Sequence, residues 1–523
     1  MLTCESRPKR KESTLTFDYS YTGFVRGDDP TPRASNALFK ENRLRLIEKL
    51  RASNPRSVVL LQGGSLIYQY DSSVAYEFIQ EPFFYWLFGV VEPDFYGVLD
   101  VRSARVVLFV NKSEEQDNVS VSSGCLLDFE LIRNKYEVDE IRNFGDICEV
   151  IKELQAESVL LLGGNNPDTG QEVNSAKFLN NCNYNTNTSL LYPIMANLRA
   201  IKTKEEIRTI KRASLITSEA LKYIMLRIKA GNYEYQADAI FKHFCYFSSG
   251  CRLSTLRGIC ASGSNIIDIN YSGPMHRLID KNDLCLLDMG VKYCGYASKA
   301  TVTYPVCGEL KIKEKDIYLV VQSVWKKVLA FIKAGVSCVD LQIYAHHVLL
   351  KNLRNLGVVQ GDIKKMLCAG MGYLFAPYSI IDLIGVEYFD VGGYIDEETP
   401  GRPSESWLSF MKTTRKLEKN MTLTFTPCCY FIKEKIEKFL EDQETVNMIC
   451  KDKIDYYLSV GGIKFEDTIL VKQDNYELLT NLPRTVTDLE KWLKQPVELY
   501  LSKVMNETLF SQVSYKLNEN EKA

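Results

Sequence analysis

Histidine is scarce. The 523-residue chain holds four, at positions 243, 276, 346 and 347, so chemistry that relies on imidazole to shuttle protons has few places to reside. No run approaches the roughly 18–20 consecutive apolar residues that cross a bilayer, which argues against a helical membrane span. A net charge of −2 and a pI near 6.2 lend no support to a nucleic-acid or other polyanion partner. The fifteen cysteines contain no Cys-x-x-Cys pair and no Cys/His zinc spacing, so no zinc ribbon or finger is expected. The opening MLTCESRPKRKESTLTF carries charge but no apolar h-region, so no secretory signal is visible. The thiols are therefore expected to be reduced and mostly buried, the protein cytoplasmic, and the sequons at Asn111, Asn118 and Asn187 silent.

What is present is enough apolar content, 46%, for two sizeable cores. Residues 1–35 are polar, charged and Pro-containing, and read as a flexible leader. ALFKENRLRLIEKLRA (37–52) has the periodicity of an amphipathic helix, and SVVLLQGG (57–64) reads as a buried strand ended by glycines. EPFFYWLFGVVEPDFYGVLDV (81–101) supplies two aromatic-rich, strand-like runs. The first of them (83–88) is read as sheet core, or alternatively as a dimer contact. ARVVLFV (104–110) and SVLLLGG (158–164) add strands. The alternation predicts an α/β domain over 36–195.

A second unit spans 196–495, followed by a charged tail at 496–523. It opens with a capping-box pattern, Thr203 with Glu206, ahead of helical apolar spacing. IKAG occurs at 228–231 and again at 332–335. Each copy ends an amphipathic helix and precedes another helical stretch, which predicts a duplicated half offset by 104 residues.

VVLLQGG, the 81–101 segment, HFCYFSSG, ICASGSN, LCLLDMG, DVGGY, LTFTPCCYF, GGIKFED and ELLTNLPRTV together resemble a eukaryotic Xaa-Pro dipeptidase (prolidase) of the creatinase/aminopeptidase P/methionine aminopeptidase group, over roughly residues 37–495. The resemblance implies a mixed α/β (α+β) chain: a creatinase-like N-terminal domain followed by a pita-bread domain with an internal pseudo-twofold repeat. It also implies a homodimer and a dinuclear manganese site held by two Asp, one His and two Glu.

Onto that pattern Asp288 (in LDMG) falls at the first Asp and Glu466 (in GGIKFED) at the last Glu. Lys299 stands at the bridging Asp, Asp382 at the His, and Thr426 at the other Glu. A lysine ammonium has no lone pair to give a metal, and the remaining charge is too small for two divalent ions. The dinuclear site is expected to be lost, with at most one divalent ion remaining. An all-oxygen set of Asp288, Asp382, Glu466 and the Thr426 hydroxyl is the place for it. A salt bridge between Asp288 and Lys299 is favoured over a lysine stem running to solvent. Positions where the family has catalytic histidines carry Asn270, Tyr378 and Phe389; of the four histidines, His276 is expected nearest the pocket. Lys412 and Lys464 replace arginines, losing the bidentate fork that grips a carboxylate, while Arg415 persists. Cys428 and Cys429 are read as buried inert thiols rather than nucleophiles. His346 and His347 sit on a helix and are read as packing or exposed residues.

The leading expectation is a prolidase-like protein without metal-dependent hydrolysis and without a required cofactor. It would serve as a peptide- or protein-binding module, as a homodimer, or as an inactive subunit paired with an active relative. The rival expectation is an active, manganese-dependent Xaa-Pro dipeptidase with a rebuilt single-ion site; a thiol function at Cys428 and Cys429 is the third.

Overall fold

The computed structural model describes residues 34–110, 128–173, 175–177, 184–394, 401–442, 445–498 and 500. The expected leader and tail lie almost wholly outside the described residues. The first unit is built on a six-stranded mixed sheet, β4-β3-β2-β1-β5-β6. Its strands are β1 (Ser57–Gln62), β2 (Phe95–Asp100), β3 (Val106–Val110), β4 (Glu140–Asn143), β5 (Ser158–Leu161) and β6 (Thr186–Asn187). Successive side chains on a strand face opposite ways. Val59 and Leu61 of β1 enter one apolar cluster while Val58 and Leu60 enter another. Both faces of the sheet are covered, which is why VVLL is a continuous apolar run rather than an alternating one.

The run at 83–88 is a helix, Pro82–Phe88, not a strand as its aromatic content suggested. Glu81 caps it by accepting from the Phe84 amide, Pro82 occupies the first turn, and Gly89 closes it at φ 72°. At that glycine a Cβ would meet the Phe39 ring at 2.3 Å. These local helix signals outweigh the β propensity of the rings. The helix packs its aromatic side chains into the first core beside the helix Asn36–Arg51.

The second unit holds two larger sheets, a two-stranded hairpin and a further two-stranded ladder. β7 (Ile259–Ser262), β8 (Leu284–Met289) and β11 (Ala300–Pro305) form a three-stranded sheet in the order β11-β8-β7; β9 (Lys292–Tyr293) and β10 (Tyr296–Ala297) form a small hairpin. β12 (Ile381–Leu383), β13 (Thr422–Phe425), β16 (Asp467–Val471) and β17 (Tyr476–Leu478) form a four-stranded sheet, and β14 (Cys428–Tyr430) pairs with β15 (Gly462–Lys464).

The IKAG repeat marks a real duplication of geometry. Gly231 and Gly335 both take φ 89°, a left-handed conformation that disfavours side chains. The Gly231 amide donates to the Ile279 carbonyl and the Gly335 amide to the Leu417 carbonyl. Two residues on, Tyr233 bridges Leu278 and Ser337 bridges Lys416.

Glu206 ties the two units together. Buried completely, it accepts from Trp86 Nε1 and from the Tyr296 hydroxyl, both at 2.9 Å, and from the Thr203 amide at 2.7 Å. The last contact completes the expected capping box.

The expectation of reduced thiols needs one correction. Eleven described cysteines are free, but Cys148 is disulfide-bonded. No helix among the described residues is long and apolar enough to cross a membrane.

Candidate functional site

Where the two sheets of the second unit meet, Thr301 and Glu466 exchange backbone hydrogen bonds, each amide donating to the other's carbonyl at 3.1 Å. Asp288 lies on β8 directly across from Thr301. Lys299 precedes β11, Lys464 ends β15, and Glu466 follows two residues later. The local strand geometry thus converges four charged side chains on one point, and all are buried.

The Lys299 ammonium sits 3.1 Å from Asp288 Oδ1 and 3.2 Å from Glu466 Oε2. Lys464 reaches the same carboxylates from the other side, at 2.8 Å from Asp288 Oδ2 and 3.3 Å from Glu466 Oε2. The expected Asp288–Lys299 salt bridge is therefore half of a four-membered lattice of alternating charge. Residues 464 and 466 share a face through the period of two, a signal that would have placed Lys464 in the cluster. Two tyrosines close it. The Lys299 ammonium donates to the Tyr388 hydroxyl at 2.8 Å and lies 4.0 Å from that ring's centroid; Tyr388 in turn donates to Glu466 Oε1 at 3.3 Å. Lys464 lies 4.5 Å from the centroid of Tyr378, and Thr301 donates its hydroxyl to Glu466 Oε2 at 3.0 Å.

Electrostatics follows from this packing. Burial opposes the charge on Asp288, but Lys299 and Lys464 outweigh it and hold the carboxyl at about 2. Burial likewise opposes the Lys464 ammonium, and Asp288 and Glu466 override it, raising the group well above its ordinary range. Asp382, on β12, behaves in the opposite sense: burial first, then the nearby Glu466 carboxylate, push it up to about 7. Among the described residues its Oδ1 has no hydrogen-bond partner, nor has Thr426 Oγ1. With Asp382 protonated, two ammoniums face two carboxylates and the cluster is neutral.

The remaining expected site residues are dispersed. Asn270 is exposed, its amide donating to Asp268. Tyr378 donates its hydroxyl to the Ile269 carbonyl at 2.8 Å. Phe389 is 45% exposed. Arg415 is bound to the Gly392 carbonyl and Glu418, and Lys412 to Asp168. His276 is exposed and edge-on to Tyr235. His346 is buried against Gln342, with its imidazole lowered to about 4 by burial. Burial pushes the Cys428 thiol up to about 12 and holds the Cys429 thiol well above its ordinary range, which leaves neither with the thiolate character a nucleophile needs.

A pair of divalent ions does not fit these residues. Among the described residues no group of three or more His, Cys, Asp or Glu side chains is placed to hold a metal. The two carboxylates that could bridge ions, Asp288 and Glu466, are already bridged by ammonium groups.

Two tests follow. Lys299→Ala leaves Asp288 and Glu466 with one cation between them and is expected to cost roughly 3–5 kcal/mol of stability, measured by denaturant unfolding. Asp382 binds its proton more tightly when folded than the ~3.9 of a free aspartate. Its contribution is therefore complete below about pH 4 and lost as pH rises towards 7. Asp288 contributes above about pH 4 and loses its contribution as pH falls towards 2. Asp382→Asn is therefore expected to raise the melting temperature at about pH 8 while leaving the acid limb intact, as thermal melts across pH would show.

Comparison with known proteins identifies both units of the chain. Residues 39–161 match the aminopeptidase P N-terminal domain and residues 208–473 match metallopeptidase family M24. The chain is 33% identical to the Xaa-Pro dipeptidase of Homo sapiens over 461 residues, covering 87% of this chain and 92% of that protein. It is 26% identical to a probable Xaa-Pro aminopeptidase of Botryotinia fuckeliana over 87% of this chain and 96% of the relative. Among solved structures, the low-pH form of Escherichia coli aminopeptidase P superposes with a TM-score of 0.70 at 21% identity, covering 88% of this chain and 99% of that one. That likeness shows the fold. This chain belongs to metallopeptidase family M24, joined to an aminopeptidase P N-terminal domain, and is a relative of the Xaa-Pro dipeptidases.

Proposed function

We propose that this chain is a Xaa-Pro dipeptidase-family protein without dinuclear-metal hydrolysis, serving as a non-catalytic peptide- or protein-binding module or inactive subunit. One observation carries the reading: the Lys299 and Lys464 ammoniums lie between Asp288 and Glu466, within 3.3 Å of both. Ions placed there would have to displace two buried cations and then face an uncompensated positive charge. Tyr388 also lies over Lys299, and Asp288, Lys299, Lys464 and Glu466 are at most 6% exposed, so a dipeptide has no direct path to them. We place the protein in the cytoplasm, a reading that the eleven free cysteines among the described residues support and the disulfide-bonded Cys148 opposes.

A second reading, an active metallopeptidase using one ion, draws support from the relatives, which are named as dipeptidases. It also draws on the unpartnered Asp382 Oδ1 and Thr426 Oγ1, hard oxygens suited to Mn or Mg. Protein expressed with manganese and dialysed separates the two. Fewer than one equivalent of metal per chain and no hydrolysis of Gly-Pro are expected. Turnover abolished by Asp288→Ala or Glu466→Ala would establish the second reading.

The partner is a second copy of this chain, or an active relative. An apolar surface supports an interface. Ile67, Tyr68, Tyr70, Tyr76 and Ile79 are more than half exposed. The Arg252–Glu77 ion pair joins their segment to the region just beyond Tyr246 and Phe247. Exposed apolar side chains gathered on one segment suit an interaction surface. Light scattering on eluted protein is expected to give twice the chain mass, and Tyr70→Asp with Ile67→Asp to halve it. A wild-type monomer sinks the homodimer.

A further inference from the structure

β8 carries Asp288 on one face and Cys285, three residues earlier, on the other. Cys285 Sγ lies 3.5 Å from Cys260 Sγ on β7. The amide of Cys260 in turn donates to Met275 Sδ at 3.5 Å. Both thiols are fully buried and Met275 is 5% exposed, so the thioether is the outermost of the three sulfurs. Main-chain bonds fix the Met275 segment: the Tyr235 amide donates to the Met275 carbonyl at 2.8 Å and the Glu234 amide to the Arg277 carbonyl at 3.1 Å.

Two features set this group apart from ordinary core packing, in which a free cysteine acts as a small apolar group. Met275 holds φ 56°, a left-handed conformation that a non-glycine residue rarely takes and that its surroundings must enforce. Tyr304 lies directly across from Cys285 in the β11–β8 ladder. Its hydroxyl is buried and has no hydrogen-bond partner among the described residues. Leaving a buried hydroxyl unpaired is unfavourable, and a sulfur that becomes anionic beside it supplies the missing acceptor. Burial, with the Cys285 and Cys260 sulfurs close by, raises that hydroxyl well above its ordinary range, so it stays a donor.

Strand register decides between the two reactions open to paired thiols. Cys260 is paired with Leu287 and Cys285 with Ser262, which makes the cysteines diagonal neighbours. Diagonal Cα atoms on an antiparallel pair are ~7–8 Å apart, beyond the roughly 4.4–6.8 Å that a disulfide bridges. A metal ion, by contrast, sits between its sulfurs. Three-coordinate binding with metal–sulfur bonds of ~2.3 Å places the sulfurs about 4 Å apart, a small widening from the 3.5 Å between the two thiols.

We infer that Cys260, Cys285 and Met275 form a binding site for one soft monovalent cation of the copper(I) class, with Tyr304 donating a hydrogen bond to the coordinated sulfur of Cys285. Thiolate and thioether sulfur select such an ion over manganese, magnesium or calcium, which prefer oxygen. No electron moves on binding: Cu⁺ enters as Cu⁺, and the two thiols release their protons to water. Two thiolates against one cation leave a single negative charge, and the Tyr304 hydroxyl is the donor that meets it. The site is separate from the Asp288–Lys299–Lys464–Glu466 lattice, and it stands whether or not the chain hydrolyses peptides.

Anaerobic titration of the full chain with Cu(I) supplied as its bicinchoninate complex tests this. One equivalent per chain is expected to pass from the coloured complex to the protein, with a near-ultraviolet thiolate-to-copper band and no competition from excess Mn(II). Cys260→Ala and Cys285→Ala are each expected to abolish the transfer. Met275→Leu, a volume-conserving change, is expected to weaken affinity about tenfold or more. Tyr304→Phe is expected to weaken it about tenfold, as loss of an outer hydrogen bond to a ligand does, with the sulfur count unchanged. Replacing the exposed Cys307 and Cys368 by serine is expected to change nothing. Should either alanine variant fail to fold, copper K-edge absorption of the wild-type chain decides, with three sulfur neighbours expected. No transfer, transfer that persists in Cys260→Ala, transfer lost with Cys307 and Cys368, or a shell of fewer than three sulfurs overturns the proposal.

Discussion

Two lysines between two buried carboxylates organise the centre of the second unit. A lone ionised side chain at that depth is prohibitively unfavourable, and either neutralises or finds a counter-charge. Here each carboxylate meets both ammoniums and each ammonium meets both carboxylates. The arrangement resembles a small ionic crystal more than a chain of isolated pairs. Breaking such a unit leaves a buried charge exposed to low dielectric, whereas the intact unit adds little beyond what well-packed apolar groups would supply. Its significance is therefore occupancy. Ammonium groups fill the space between the two carboxylates.

The frame around the lattice does not depend on the chemistry that it surrounds. Arg484 donates to the carbonyls of Thr301 at 2.7 Å and Glu466 at 2.6 Å, and pairs with Asp467 at 2.8 Å. It pins the crossing of the two sheets from the side away from the lysines. Trp325 and Thr480 also donate to Asp467. Through this network the NLPRTV and FED segments satisfy backbone and side-chain groups that the crossing of the two sheets buries.

The fate of each sequence expectation has a local cause. Lys299 is legible because its register is fixed: eleven residues after Asp288, just ahead of the adjoining strand, with an anion already in place. Lys464 reads in sequence as a weakened substrate grip, although its same-face spacing with Glu466 already places it beside that carboxylate. Tyr388 gave no signal, since it lies in an irregular stretch between Asp382 and Asp390 where no periodicity operates. Pro82–Phe88 was misread because ring content was weighed above Pro at the first turn and Gly just past the last. Asp168 is 244 residues from Lys412 in sequence, and nothing in either segment announces the other.

The sequence alone pointed to the family and the doubled architecture, and to lysine, aspartate and threonine at the positions where the resemblance implies metal ligands, because motif order, glycine stops and side-chain chemistry are written in the chain itself. Tertiary structure decided what those replacements do. Whether Lys299 runs to solvent or inward, whether Lys464 joins it, and whether Asp382 carries a proton all depend on the distance between groups on different strands and on the water excluded between them. Electrostatic energy is a function of that separation and that local dielectric, and neither exists until the two sheets have closed on each other.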